Sequence, residues 1–285
     1  MEQASGATHR VKLALPGQLT RLSSWGIDPV DDMQDEQAAS ELFRRLAQVE
    51  ELDMRVGLIC ERLESTPNDD ALWFLRTAHH RAALGDPDGQ RVFLALGWAM
   101  FDPRVVPRRS MLGAAARREQ IHEIADFLTP PSCDDEGAGM ARRVPDFGRG
   151  RPLTLGERKS LARTHDRSLI QRVVHDPHPD VVRILLDNPS LTEDDVVRIC
   201  AARPNDREVL QAVYLHRRWV VRYRPRNAIL RNPDTPMDTA LLLAPLLRKP
   251  ELQQAATSSE LSAALRLSCK SILAARRAGP RSSGG

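Results

Sequence analysis

Two stretches of this chain, 44 residues apart, run the same way: Ile184-Leu185-Leu186-Asp187-Asn188-Pro189-Ser190-Leu191-Thr192 and Ala228-Ile229-Leu230-Arg231-Asn232-Pro233-Asp234-Thr235-Pro236. Each leads into an apolar run, Val196, Val197, Ile199 and Cys200 after the first, Ala240, Leu241, Leu243 and Ala244 after the second. With one residue of drift, Glu208-Val209-Leu210-Gln211-Ala212 is answered by Glu251-Leu252-Gln253-Gln254-Ala255. A weaker earlier copy has Leu153-Thr154 at a helix entry and Asp176-Pro177-His178-Pro179 at the following turn. Such spacing lies in the range of about 40–47 residues used by two- and three-helix repeats.

The corners Asn188-Pro189 and Asn232-Pro233 have a physical logic. Asn tolerates the left-handed conformation at a C-terminal cap, and Pro cannot continue the helix behind it. Thr192 and Asp238 stand where the next helices begin and are expected to cap them. A unit this short cannot shield both flanks by itself, so neighbouring units must stack.

At these residues the chain resembles the leucine-rich repeat variant and HEAT-like α-solenoid proteins of bacteria. More narrowly, the run Trp219–Pro236, WVVRYRPRNAILRNPDTP, and the following residues 240–247 look like a family of bacterial helical-repeat proteins with no established biochemical role. The resemblance covers about residues 150–275 and implies a stack of helical repeats. Its period is longer than that of the leucine-rich variant, and Asn-Pro turns are missing between Pro204 and Tyr223.

The first half carries helical periodicity without a repeat. Leu42, Leu46 and Val49 share a face; after a break near Asp53 so do Val56, Ile59, Cys60 and Leu63. Thr66-Pro67-Asn68-Asp69 reads as a stop and a new start, followed by Leu72, Leu75 and Ala78. Gly85-Asp86-Pro87-Asp88 opens a helix with Val92, Leu94, Ala95 and Trp98. A last helix over about 108–127 places Leu112, Ala116, Ile121, Ile124 and Leu128 inward, which makes about five elements. The expected plan is all-α, a helical bundle followed by a short HEAT-like or leucine-rich-variant-like α-solenoid. Residues 1–33 form a partly disordered leader with Trp25 and Ile27 as docking residues. Residues 34–128 form the bundle, 129–151 a linker rich in Pro, Gly and acid, 152–275 the repeat array and 276–285 a disordered tail. A loop inside one longer solenoid is the alternative for 129–151.

Charge divides the chain in the same place. Residues 1–150 hold 18 Lys/Arg and 24 Asp/Glu, whereas residues 151–285 hold 23 and 14. Attraction between the halves and an acidic external partner account for this equally well. Cys60, Cys133, Cys200 and Cys269 are scattered without metal-ligand spacing, which favours a reduced, cytoplasmic protein. The patch Val11–Leu15 is too short for a signal-peptide core, and no run nears the roughly 20 apolar residues that span a bilayer.

The unusual local feature is the stretch from Tyr214 to Arg231. It has no acid between Glu208 and Asp234, yet contains His216, Arg217, Arg218, Arg222, Arg224, Arg226 and Arg231 among Tyr214, Trp219 and Tyr223. Guanidinium groups grip phosphates or carboxylates with two parallel bonds, and aromatics stack on bases or on Arg. Arg217, Arg218, Trp219, Arg222, Tyr223, Arg224 and Arg226 are therefore the candidate binding surface. The alternative puts Trp219, Val220 and Val221 in the core and the arginines over Asp194, Asp195 and Asp234.

Other chemistry is poorly supported. His165, His175 and His178 lack zinc spacing, His79 and His80 face opposite ways, and His122-Glu123 lacks a second His. Asp86-Pro87-Asp88-Gly89 falls short of a calcium loop, and Asp31-Asp32 with Asp35-Glu36 suits a helix start. No GxGxxG, Walker loop or GxSxG occurs. The expectation is a non-enzymatic scaffold without cofactor or metal that binds another protein. A nucleic-acid-binding solenoid using residues 216–231 is the alternative. A base-excising glycosylase on HEAT-like repeats is a third reading, weakened by the absence of a carboxylate within ten positions of Trp219.

Overall fold

The computed structural model describes residues 32–130, 143–147 and 150–278. All regular elements among them are helical. The first group is α1 (Asp32–Gln48), α2 (Leu52–Ser65), α3 (Asn68–Leu84), α4 (Pro87–Ala99), α5 (Val106–Arg118) and α6 (His122–Leu128). The second is α7 (Leu155–Leu161), α8 (Arg167–Val173), α9 (Pro179–Leu186), α10 (Glu193–Ala201), α11 (Arg207–Tyr214), α12 (Arg217–Val220), α13 (Tyr223–Leu230), α14 (Met237–Leu243), α15 (Lys249–Thr257) and α16 (Ala263–Ala278), with a 3₁₀ turn Ala244–Leu246 after α14.

In the first group, longer helices close around aromatic rings. Phe43 and Phe74 stack with centroids 5.5 Å apart, Phe93 meets Phe127 edge-on at 6.1 Å, and all four are buried. The punctuation works as its residue types require. Gly85 takes a φ of 89° to close α3, and the Asp86 carboxylate accepts the Gly89 N–H at 3.2 Å to open α4, with Pro87 in the first turn.

The expected helix over 108–127 is instead two helices, so the bundle has six elements. Gln120 adopts a φ of 59°, and the Gln120 and Ile121 N–H groups turn back to the carbonyls of Arg117 and Ala116. This closure normally uses Gly. With Gln in its place the chain shows no Gly or Pro to mark the break, and Ile121, Ile124 and Leu128 are buried as the apolar pattern requires.

In the second group most helices are short, and three of the corners are held by a buried polar side chain. The Asn188 amide donates from Nδ2 to the carbonyls of Ala162 (2.9 Å) and Thr164 (2.7 Å), while its Oδ1 accepts the Ser190 N–H at 2.9 Å. Asn232 repeats the pattern: Nδ2 donates to Cys200 O (2.7 Å) and Ala202 O (2.9 Å), and Oδ1 accepts the Asp234 N–H at 3.0 Å. The two matched sequences thus have matched conformations, down to the backbone bonds Leu191 N to Asn188 O and Thr235 N to Asn232 O, each 3.1 Å.

These corners correct the expected reason for Asn. Among the described residues other than Gly only Gln120 has a positive φ, so neither Asn188 nor Asn232 is a left-handed cap. Each is used for its amide, which binds the open carbonyls at the end of an earlier helix and folds its own turn. Asp176 folds the third corner likewise, accepting the His178 N–H at 3.0 Å, but its carboxylate faces the Arg158 guanidinium at 2.7 and 2.8 Å instead of carbonyls. Thr192 caps α10 as expected, in a capping box with Asp195, whereas Asp238 lies inside the first turn of α14 and pairs with Arg109. Thr154 and Glu157 form a second capping box at α7.

One continuous apolar core runs through both groups. Helix α14 packs on α4 and α6, and α16 on α3. The buried Tyr214 sits against Gly97, where any Cβ would collide with its hydroxyl, and meets Phe101 edge-on at 5.8 Å. Trp98 Nε1 donates to Tyr214 O at 2.9 Å, and Arg276 Nε to Ala83 O at 2.6 Å. Within the 129–151 segment, residues 131–142 and 148–149 lie outside the described residues; Phe147, which the composition places in a linker, is buried. Helix α16 extends to Ala278, three residues past the expected end of the array, and 279–285 are not described.

Candidate functional site

The arginine-rich stretch does not form one face. It folds as the end of α11, the single turn α12 and helix α13, whose side chains radiate in different directions. Trp219, expected on the binding surface, is 1% exposed and donates its Nε1–H to Leu186 O at 2.9 Å. An indole needs that buried bond, and its apolar body fills the space between corners. Val220 is buried beside it, while Val221 is half exposed.

Around this core Trp the arginines are committed within the chain. Arg218 lies over the indole at 4.4 Å and donates to Asn188 O and Leu191 O, both at 3.1 Å. Arg222 reaches Glu193 at 3.0 Å and also lies over Trp219; Arg224 reaches Asp194 at 2.6 Å. Arg217 crosses to the first group and pairs with Asp53 at 2.6 Å, so the opposite charge of the halves is used at least once to join them. Asp195 is occupied by Arg167 and by its capping role, and Asp234 accepts the Asn205 N–H at 2.7 Å. Tyr223 and Arg226 turn instead toward Arg248, which lies 4.4 Å over the Tyr223 ring.

A separate groove runs between α9 and α11, with a volume of about 270 Å³. Arg183 and Glu208 bridge it at 3.0 Å, and His216 Nε2 meets Asp187 Oδ1 at 3.1 Å. Between these polar ends lie Leu186, Ala212 and the exposed Leu215. The sequence supplied the helices but not the groove, because its walls are set by how α9 packs on α11.

Among the described residues, several groups that could do chemistry elsewhere are buried or bonded within the chain. The three described cysteines are buried; burial pushes the thiols of Cys60 and Cys269 up to about 12 and that of Cys200 up as well, which keeps the sulfurs protonated. His79 packs edge-on to Phe93 at 5.6 Å, and burial pulls it down to about 4; His80 on the same helix is also lowered by burial. His178 uses Nδ1 to accept the Asp180 N–H at 3.2 Å, and His165 meets Ser190 at 3.2 Å. No three His, Cys, Asp or Glu converge as metal ligands among the described residues, and no described helix is long and apolar enough to cross a membrane. Trp25, Ile27, Asp31 and Cys133 lie outside the described residues, as do the side chains of Asp32, Asp35 and Glu36. Comparison with protein-family models, curated proteins and solved structures finds no match.

Proposed function

We propose that the chain is a non-enzymatic scaffold of α-helical repeats, related in plan to HEAT-like and leucine-rich-variant solenoids, that binds another protein. The observation that carries this reading is the α9–α11 groove, where an apolar floor containing the exposed Leu215 lies between the Arg183–Glu208 ion pair and the hydrogen-bonded His216 and Asp187. A peptide segment carries both kinds of group, and a floor of this type supplies the desolvated centre of a protein interface with a polar rim. The nucleic-acid reading draws on Arg217, Arg222 and Arg224, each already facing a carboxylate, and is the weaker of the two.

The test is affinity capture with Leu215→Glu beside the native chain. A protein retained by the native chain and lost from this surface variant, with unchanged thermal unfolding, supports the proposal. Equal retention of all co-purifying proteins contradicts it.

A further inference from the structure

Four cations gather where α13, the start of α15 and the end of α16 meet the α3–α4 turn. Arg226, Arg248, Lys249 and Arg276 line a cavity of about 470 Å³ together with Tyr223 and Gln90. Unlike the arginines around Trp219, none of the four has an ion-pair partner among the described residues. Arg276 spends Nε on Ala83 O (2.6 Å) and an Nη on Pro245 O (3.1 Å), and Gln90 shares that second carbonyl at 3.3 Å. Arg226 is mostly buried, its Nε has no partner, and burial holds its guanidinium below the usual range, with Arg248 adding to the effect. The carboxylate of Glu251 lies beside the Tyr223 hydroxyl with its Oε2 buried and without a hydrogen-bond partner, one acid against the four cations.

Such an arrangement favours a counter-charge, above all at the mostly buried Arg226. A guanidinium removed from water loses hydration that only a counter-charge or several acceptors restore, and like charges at close range add repulsion. The fold nevertheless positions the groups firmly. Arg248 N–H donates to Tyr223 Oη at 3.1 Å, and its side chain lies over the same ring that Arg226 approaches at 5.9 Å. Helix α15 starts at this point without a side-chain cap, which brings the positive end of its dipole to the same region.

We infer that this cavity is a binding site for a small phosphorylated molecule, gripped through its phosphate groups by Arg226, Arg248, Lys249 and Arg276. Forked guanidinium donors match phosphate oxygens, and Lys adds a compact point charge. The volume suits a small metabolite. Because Gln90 and the Arg276 anchor at Ala83 belong to or touch the first helical group, an occupant also ties that group to α13 and α15.

Calorimetric titration of the full chain with inorganic pyrophosphate at low salt and pH 7 tests the inference, with citrate as a carboxylate of comparable charge. Arg248→Ala with Lys249→Ala changes two exposed side chains and leaves the core intact; Arg231→Ala, exposed and outside the cavity, is the control. The expected result is one pyrophosphate per chain, binding about tenfold or more weaker in the double variant and unchanged in the control. Absence of pyrophosphate binding, equal binding by the double variant, or binding of citrate as tight as that of pyrophosphate overturns the assignment.

Discussion

The two halves of the molecule hold their helices together by different means. In the first, α3 and α4 present long apolar faces to one another, and Phe43, Phe74, Phe93 and Phe127 fill the space between helices. Its polar ties are made by long arginine side chains, as where Arg55 donates to Leu46 O at 2.9 Å and Arg108 to Thr66 O at 2.8 Å. In the second, helices of seven to nine residues predominate, and buried Asn188, Asn232, Asp176 and Asp195 fix their ends. Apolar packing tolerates a change of shape if volume is kept, whereas a short polar side chain facing two partners works in one geometry only. The difference predicts that the second half is the less tolerant of conservative substitution.

The comparison breaks most visibly at Asp176, whose removal strands Arg158 in a site where it is only 10% exposed. Asp176→Ala is expected to cost about 3–5 kcal/mol in urea unfolding; a loss under about 1 kcal/mol contradicts the role given to the corner. Acid probes the other half. His79 has a folded pKa near 4 against an ordinary 6.5, so the unfolded chain binds the extra proton and stability falls as pH drops from 6.5 toward 4. The loss amounts to up to about 3 kcal/mol, and His79→Phe should remove that part of the pH dependence.

Within the aromatic core, Phe93→Leu keeps most of the apolar volume and should cost about 1–1.5 kcal/mol by the same unfolding measurement. A loss as large as that of Asp176→Ala erases the contrast between halves. The smallest effect belongs to the surface: Arg224→Ala breaks one exposed pair with Asp194 and should change stability by less than about 1 kcal/mol. The same variant should leave duplex DNA binding at low salt unchanged, and a clear loss of binding there would return the arginine stretch to the status of a nucleic-acid surface.

What the sequence revealed follows from the range of the interactions involved. Helical periodicity, the Asn-Pro corners and the Thr192 cap depend on residues within one or two turns, and all are legible. Phe147 and the Gln120 break were hidden because their local composition points elsewhere. The arginines were ambiguous for a different reason: Arg217 finds Asp53 from across the chain, and Arg226 finds Arg248, Lys249 and Arg276 through the packing of three helices. No local pattern distinguishes a guanidinium that meets a carboxylate from one that meets other cations. The purpose of Asn188 and Asn232 is not legible locally for the same reason, since the carbonyls they bind lie 24 to 32 residues earlier.

Matched Asn→Asp substitutions at 188 and 232, compared by equilibrium unfolding, test most directly whether the two corners are one device used twice. Asp preserves size and the accepting oxygen but replaces the donating amide with a second acceptor aimed at two carbonyls. Both variants should lose about 2–4 kcal/mol, by amounts within about 1 kcal/mol of each other, since each leaves two buried or half-buried carbonyls without a donor. Stability unchanged at either position would show that the amide bracket does not hold the helices together.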